Sequence, residues 1–165
     1  MTQAAFLLLL LAAPQAAGAT RVAVVYAAPE RYTDAGRRVA GGAEQARVQA
    51  ALSAHFAWLG ARYLAPGRRL TVTVTDIDLA GRLEPWRPQA FDLRVLREIT
   101  WPRIRLAFRL FDGEREILAG DDTIADLAYL RATSGYRASD PLVYEKRMLE
   151  RWFRTRFSAG QPRGE

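Results

Sequence analysis

The clearest pattern in the chain is an alternation of apolar and polar residues between positions 103 and 110. One set of alternating positions is apolar and the other is mainly cationic, the run being Arg103, Ile104, Arg105, Leu106, Ala107, Phe108, Arg109 and Leu110. A period of two is typical of a strand with one buried face and one solvated face. Asp112-Gly113 then signals a tight turn, so we predict a hairpin whose second strand covers residues 115–119.

Two other segments have the spacing of amphipathic helices. Between residues 43 and 64, apolar side chains recur every three or four positions, at Val48, Leu52, Phe56, Leu59 and Tyr63, which places them on one helical face. A second predicted helix starts with Asp140 as its cap and Pro141 at its first position. Its apolar stripe consists of Leu142, Leu149, Trp152, Phe153 and Phe157.

Further strands are predicted at residues 21–27, 70–75 and 92–99, where β-branched or alternating residues lie between turn signals. The predicted order is a strand, a helix, three or four strands and a helix. We therefore predict an α+β fold, with a single mixed or antiparallel sheet of four to five strands and two helices packed on one face. The first helix would form a crossover connection between parallel strands.

The strand predicted at residues 70–75 ends irregularly. Val72 and Val74 lie on one face, and strict alternation would place Asp76 and Asp78 on that same buried face. Two ionised carboxylates without partners are costly to bury, so this arrangement would require cations or a metal beside them.

A β-bulge near Thr75 would remove the conflict, and we favour it. One extra residue shifts the alternation, returns Ile77 and Leu79 to the core, and moves both aspartates to the opposite face. In either arrangement Asp76 and Asp78 lie on the same side of the strand.

The face opposite the predicted core is polar and cationic. It would display Thr71, Thr73, Arg103, Arg105 and Arg109, with Arg94 as a neighbour, and Glu114 or Glu116 would pair with Arg109 across the hairpin. One interpretation is an ordinary solvated surface. The other is a docking surface for an anionic partner, since the guanidinium group binds carboxylates and phosphates with two parallel hydrogen bonds.

The paired aspartates admit three interpretations. Asp76 and Asp78 would form salt bridges with Arg82, Arg87 or Arg97, or they would bind a hard cation with help from Glu84, or they would act in acid–base catalysis. Salt bridging is the interpretation that we favour. The metal interpretation leads to an alternative function, a metal-dependent hydrolase or a cation-binding domain.

Aromatic residues next to arginines form a second candidate group, which comprises Trp86 with Arg87, Trp101, Tyr136 and Tyr144. Such side chains stack on a ligand in some proteins. They equally close the open end of a small sheet, and we favour this structural role.

Composition excludes several classes of chemistry. The chain has no cysteine, so disulfides and thiolate metal sites are impossible. His55 is the only histidine, which excludes a multi-histidine metal centre, and its position indicates the edge of the core. The net charge is +6, with Lys146 as the only lysine. No phosphate-binding loop or nucleic-acid motif accompanies this charge, so no nucleic-acid partner is expected.

The first residues resemble a signal peptide. An apolar run from Ala4 to Ala13 precedes Ala17-Gly18-Ala19, and the run is too short to cross a bilayer. We expect residues 1–19 to be a signal peptide cleaved before Thr20, residues 20–165 to form a single domain, and the mature protein to be periplasmic or secreted without a membrane span.

Three separated motifs carry a resemblance to a family. The stretches "VTVTDIDLAGRLEPWR", "LREITWPRIRLAFRL" and "DPLVYEKRMLERWF", together with "APERYTDAG", resemble a family of short exported bacterial proteins that has only a domain-of-unknown-function label. The resemblance implies export and no assigned activity, so it supplies no catalytic residues, cofactor or ligand.

The sequence therefore favours a non-catalytic binding or interaction module without a cofactor. Its partner would be an anionic envelope component or another periplasmic protein, bound at the arginine-bearing face. A structural envelope protein is the remaining alternative.

Overall fold

The computed structural model describes residues 21–34, 41–84, 94–131 and 140–157. Its elements, in chain order, are β1 (Val22–Tyr26), α1 (Gly41–Tyr63), β2 (Arg68–Asp78), β3 (Arg82–Leu83), β4 (Arg94–Val95), β5 (Arg103–Asp112), β6 (Arg115–Ala125) and α2 (Val143–Phe157). Short 3₁₀ turns occur at Pro29–Arg31 and Tyr129–Arg131.

The main sheet has four strands in the order β1-β2-β5-β6. Strand β1 is parallel to β2, whereas β2, β5 and β6 form an antiparallel meander. The helix α1 lies between β1 and β2 in the chain, as a parallel pair requires a long crossover. The mixed sheet and the helices confirm the predicted α+β fold.

One face of the main sheet supplies its side chains to the core. On this face Val22 lies against Gly60 of α1, and the Tyr26 hydroxyl donates a hydrogen bond of 2.8 Å to the Gln49 carbonyl of the same helix. The ring of Phe108 on β5 meets aromatic residues of α2. Sheet and helix side chains form a single buried cluster, which includes Leu52, Phe56, Leu59, Val72, Val74, Ile77, Leu106, Leu149 and Phe153.

The predicted β-bulge is confirmed. The pairing of β2 with β5 shifts between Val74 and Asp76, so that Thr75 is the extra residue. Ile77 returns to the core with no exposed surface, and Asp76 lies opposite Arg105 on the other face. The hydrophobic requirement of the core therefore determines the register on both sides of the bulge.

Within the described part of residues 92–99, the predicted strand is confirmed only at β4 (Arg94–Val95), which pairs with β3 in a separate two-stranded sheet. The prediction is wrong for residues 96–99. A turn follows, in which the Thr100 amide donates to the Arg97 carbonyl at 2.9 Å. Ile99 is 75% exposed, so its apolar character did not indicate a buried strand position.

Two element boundaries also differ from prediction. Strand β6 continues to Ala125, well past the predicted end at residue 119. Helix α2 starts at Val143, and Asp140 instead accepts a hydrogen bond of 2.9 Å from the Leu142 amide in the preceding turn. Helix ends commonly vary by one or two residues because the first turn is irregular.

Candidate functional site

The candidate site is the sheet face opposite the core, which we call the outer sheet face. It is formed by alternate residues of β2, β5 and β6, namely Thr71, Thr73, Thr75, Asp76, Asp78, Arg103, Arg105, Ala107, Arg109, Ala119, Asp121 and Thr123. On the other face, Val22 and Tyr26 contact α1, and Phe108 contacts α2. Threonine and alanine side chains are short, so the centre of the outer sheet face is flat.

Arg103 is paired with a carboxylate. Its guanidinium contacts Asp78 at 3.2 Å, because the bulge places these residues directly opposite each other on β5 and β2. Among the described residues, Asp78 forms its ion pair with Arg103, whereas Arg97 pairs with Glu84. The charge of Arg82 also favours the ionised form of Asp78, and Arg87 lies outside the described residues. Partial burial raises the pKa of Asp78, and the nearby Arg103 charge opposes this change without reversing it.

Asp76 and Arg105 have different surroundings although they are paired in register. The Asp76 carboxylate accepts hydrogen bonds from the Thr33 amide at 2.7 Å and from the Thr33 hydroxyl at 3.0 Å. Arg105 is exposed, and no ion pair is recorded for it among the described residues. Among the described residues, no carboxylate therefore takes up its guanidinium donors.

Arg109 pairs across the hairpin, as predicted. Its Nε donates to Glu116 at 2.6 Å, and its guanidinium also lies 5.5 Å from the ring centre of Phe111. The Arg69 guanidinium lies at the same distance from that ring centre and contacts Glu114 at 3.2 Å. Much of the positive charge on the outer sheet face is thus balanced locally.

Arg94 connects loops and does not extend the cationic surface. Its side chain is partly buried and forms a salt bridge with Asp34. The same guanidinium group donates to the carbonyls of Leu79, Ala80 and Gly81. Several hydrogen bonds from one partly buried arginine fix the chain just after β2, which is where Asp78 ends the strand.

The structure does not bring the three candidate metal ligands together. Glu84 is buried and forms a salt bridge with Arg97, whereas Asp76 and Asp78 contact Thr33 and Arg103. In the part of the chain that the structure describes, no group of three or more metal-binding side chains is found.

The described aromatic candidates lie apart from the outer sheet face. Trp101 borders a cavity of about 230 Å³ with Glu98, Leu127 and Leu130. Tyr144 packs edge-on against Tyr129, with ring centres 4.9 Å apart. Trp86, Arg87 and Tyr136 lie outside the described residues.

His55 lies at the margin of the core, as its position in the sequence indicated. Its Nε2 is 2.9 Å from the Lys146 carbonyl oxygen, and its ring stacks on Trp58 at 5.5 Å. Burial lowers the pKa of His55. The histidine thus connects α1 to α2 and is directed away from the outer sheet face.

Glu145 is a buried carboxylic acid that the sequence interpretation overlooked. It is 1% exposed, and its Oε1 accepts a hydrogen bond of 2.7 Å from the Ala80 amide. Its Oε2 has no hydrogen-bond partner among the described residues. Its spacing from Leu142 and Leu149 places it on the apolar stripe of α2, and this helical periodicity was the signal that could have identified it.

A comparison with protein families finds a match over residues 20–155, to the family described as protein of unknown function (DUF3016). The chain belongs to this family. The resemblance that its motifs suggested is thereby confirmed. Neither the curated proteins nor the solved structures yielded a match.

The DUF3016 match includes every strand of the outer sheet face and α2 as far as Thr155. The family description assigns no activity. Among the described helices, none has the length and apolar character needed to span a membrane. The functional argument therefore rests on the geometry of this chain.

Proposed function

We propose that this protein is an exported, non-catalytic binding module whose outer sheet face docks an anionic partner. The observation that carries the proposal is the exposure of Arg105 on the outer sheet face. Among the described residues, Arg105 has no carboxylate partner. A guanidinium group with free donors in this setting binds a carboxylate or phosphate with little reorganisation.

The surroundings of Arg105 support this proposal. Thr123 lies opposite it on β6, and Thr73 and Ala107 continue the flat surface along the sheet. Arg103 borders Arg105 on its own strand, and Arg109 lies beyond Ala107; both arginines retain guanidinium donors beyond those that their carboxylates use. Among the described residues, Arg105 is therefore a cation without a carboxylate partner, and the arginines on either side of it along β5 are only partly satisfied.

Immobilised poly-L-glutamate provides a direct test of the proposed surface. We expect the Arg105→Glu variant to bind at least about tenfold more weakly than wild type, since charge-assisted hydrogen bonds contribute about 1.5–3 kcal/mol. Arg47→Glu is the matched control, because it makes the same charge change at an exposed position of α1, away from the outer sheet face. Equal losses for the two variants would show that only the net charge matters and would overturn the proposal.

The export part of the proposal is supported by the apolar run Ala4–Ala13, the small residues before Thr20, and the start of the family match at residue 20. Expression of the full chain in a Gram-negative host tests it. Mass spectrometry should find a periplasmic product that begins at Thr20. A product that keeps residues 1–19 and stays in the cytoplasm would contradict export while leaving the binding proposal intact.

A further inference from the structure

A second surface lies at the edge of the sheet, on the strand next to the one that bears Arg105. Strand β6 pairs with β5 on one side and is the last strand in the sheet order. It is long for an edge strand, with 11 residues. Among the described strands nothing pairs with its other side, so its outward N–H and C=O groups are a template for another strand.

A groove lies beside this edge, and α2 forms its other side. It has a volume of about 410 Å³ and lies between residues 122–125 of β6 and the outward side of α2. Ile124, Met148 and Trp152 form its floor and are buried. A strand with a helix beside it is a geometry that accepts an extended peptide, whose alternate side chains point into the groove.

The acidic groups of the groove are already satisfied. Asp122 accepts a hydrogen bond of 2.7 Å from Trp152 Nε1 and one of 2.8 Å from Arg156 Nε. Asp126, which is 3% exposed, accepts a hydrogen bond of 2.7 Å from Arg151. Hydrogen bonds from Arg156 also lower the pKa of Asp122, so this carboxylate stays ionised.

The arginines of the groove keep unused capacity. The side chains of Arg151 and Arg156 are 59% and 45% exposed, and each guanidinium has more donors than its recorded carboxylate takes. Arg154 adds an exposed cation on the same turn of α2. The rim is therefore complementary to a carboxylate, while the floor is complementary to an apolar side chain.

We propose that the groove between β6 and α2 binds an extended acidic peptide segment as an added strand. The peptide backbone pairs with the edge of β6, a carboxylate side chain contacts Arg151 and Arg156, and an apolar side chain two residues along, on the same face of the peptide, faces Ile124 and Met148. This site differs from the outer sheet face, because its lining comes from α2 and from the edge of β6, and Thr123 is the one residue that the two sets share.

Backbone amide NMR of isotope-labelled protein tests the site with a peptide of about seven residues, a typical strand length. Threonine occupies every second position of this peptide, and valine and glutamate alternate at the positions between, so that both types lie on one face. We expect saturable shift changes at residues 122–125 and in the last turns of α2. The same peptide with glutamine in place of glutamate should bind at least about threefold more weakly, because the charged contacts are lost. Replacing alternate residues of the peptide by proline should abolish the shifts, since proline lacks the N–H needed for pairing.

A matched pair of variants at one position makes the test specific. Thr155 lines the groove and is exposed, so Thr155→Glu places a negative charge beside the arginines, whereas Thr155→Gln changes the size equally without charge. We expect Thr155→Glu to remove peptide binding and Thr155→Gln and Arg105→Glu to retain it. Equal binding by both Thr155 variants, absence of shifts at millimolar peptide, or a dimer that occupies β6 in the free protein would overturn the proposal.

Discussion

Glu145 shows how a single residue can depart from the pattern of its element. Its neighbours on the stripe of α2 are apolar, yet it is a carboxylic acid with 1% exposure. Two charged side chains act on its carboxyl group: Arg94 favours the ionised form, and Asp140 opposes it. Burial is the largest effect, and it raises the pKa of Glu145 because the charged form loses its hydration.

The raised pKa leads to a prediction about pH. Because the pKa of Glu145 is higher in the folded state, its stabilising effect is complete below the unfolded-state value of about 4.3 and is lost as pH rises through the folded-state pKa. We expect the stability of the Glu145→Gln variant not to fall in this way as pH rises, since a glutamine side chain does not ionise. Its amide oxygen can still accept the hydrogen bond from the Ala80 N–H.

Urea unfolding of wild type and Glu145→Gln between about pH 4 and about pH 8 measures the difference in their free energies of unfolding. This difference should change by about 1.4 kcal/mol for each unit by which the folded-state pKa exceeds the unfolded-state pKa. Glu114→Gln is the control, because the Glu114 side chain is 99% exposed. A stability difference between wild type and Glu145→Gln that stays constant with pH would contradict the prediction.

Gly60 permits close contact between α1 and the sheet. A Cβ atom at this position would lie 2.3 Å from Cγ2 of Val22, and a β-branched side chain has little freedom to move. We expect Gly60→Ala to destabilise the fold by about 1–3 kcal/mol, which exceeds the roughly 1 kcal/mol gain in helix propensity.

Gly42 provides the comparison for Gly60, since a Cβ there would have no neighbour within 4 Å. Thermal unfolding should show that Gly42→Ala is neutral or stabilising. Val22→Ala is itself destabilising because Val22 is buried, but Gly60→Ala should cost much less in the Val22→Ala background than in wild type. An equal cost in both backgrounds would show that the clash is not the cause.

At the scale of elements, strand β2 was predictable in unusual detail. The position of its bulge followed from the cost of burying Asp76 and Asp78, because a bulge near Thr75 keeps the apolar residues inside and the carboxylates outside. The short extent of strand β4 within the predicted range of residues 92–99 was not predictable, since this range has no clear periodicity and the partner strand, β3, is only two residues long.

The bulge makes a prediction about deletions in β2. Removing Thr75 restores strict alternation with Val74 and Ile77 still directed to the core, whereas removing Thr73 directs Val74 outward. We expect the Thr75 deletion to be more stable than the Thr73 deletion by roughly 1.5–3 kcal/mol, the contribution of one buried aliphatic side chain. Denaturant unfolding of the two deletion variants compares them directly, and equal stabilities would show that register is not set by the core.

At the scale of the whole molecule, one core connects the sheet with both helices. Phe153 has no exposed surface and contacts the rings of Tyr63, Trp152 and Phe157. The chain has no cysteine and hence no disulfide to add stability, so the fold depends on the packing of this core. Total stabilities of domains are typically only about 5–15 kcal/mol.

We expect Phe153→Ala to cost about 3–5 kcal/mol and to shift helix and tryptophan signals together, because the core unfolds as one unit. Circular dichroism and tryptophan fluorescence during denaturation measure the two signals. Phe111→Ala is the control, because Phe111 lies outside the core cluster and contacts Arg69 and Arg109. Loss of these contacts should cost about 1 kcal/mol. Separate transitions for the two probes would contradict a single core.

The sequence by itself determined the fold class, both helical stripes, the faces of β5 and the need for a bulge in β2. These features follow from periodicity and from the cost of burying charge, which act over a few neighbouring residues. Only the tertiary structure decided that Asp78 meets Arg103, that Arg94 joins Asp34 to the loop after β2, and that Arg105 remains accessible. Charge partners depend on strand order and register, which bring together residues far apart in the chain, and no local pattern encodes those distances.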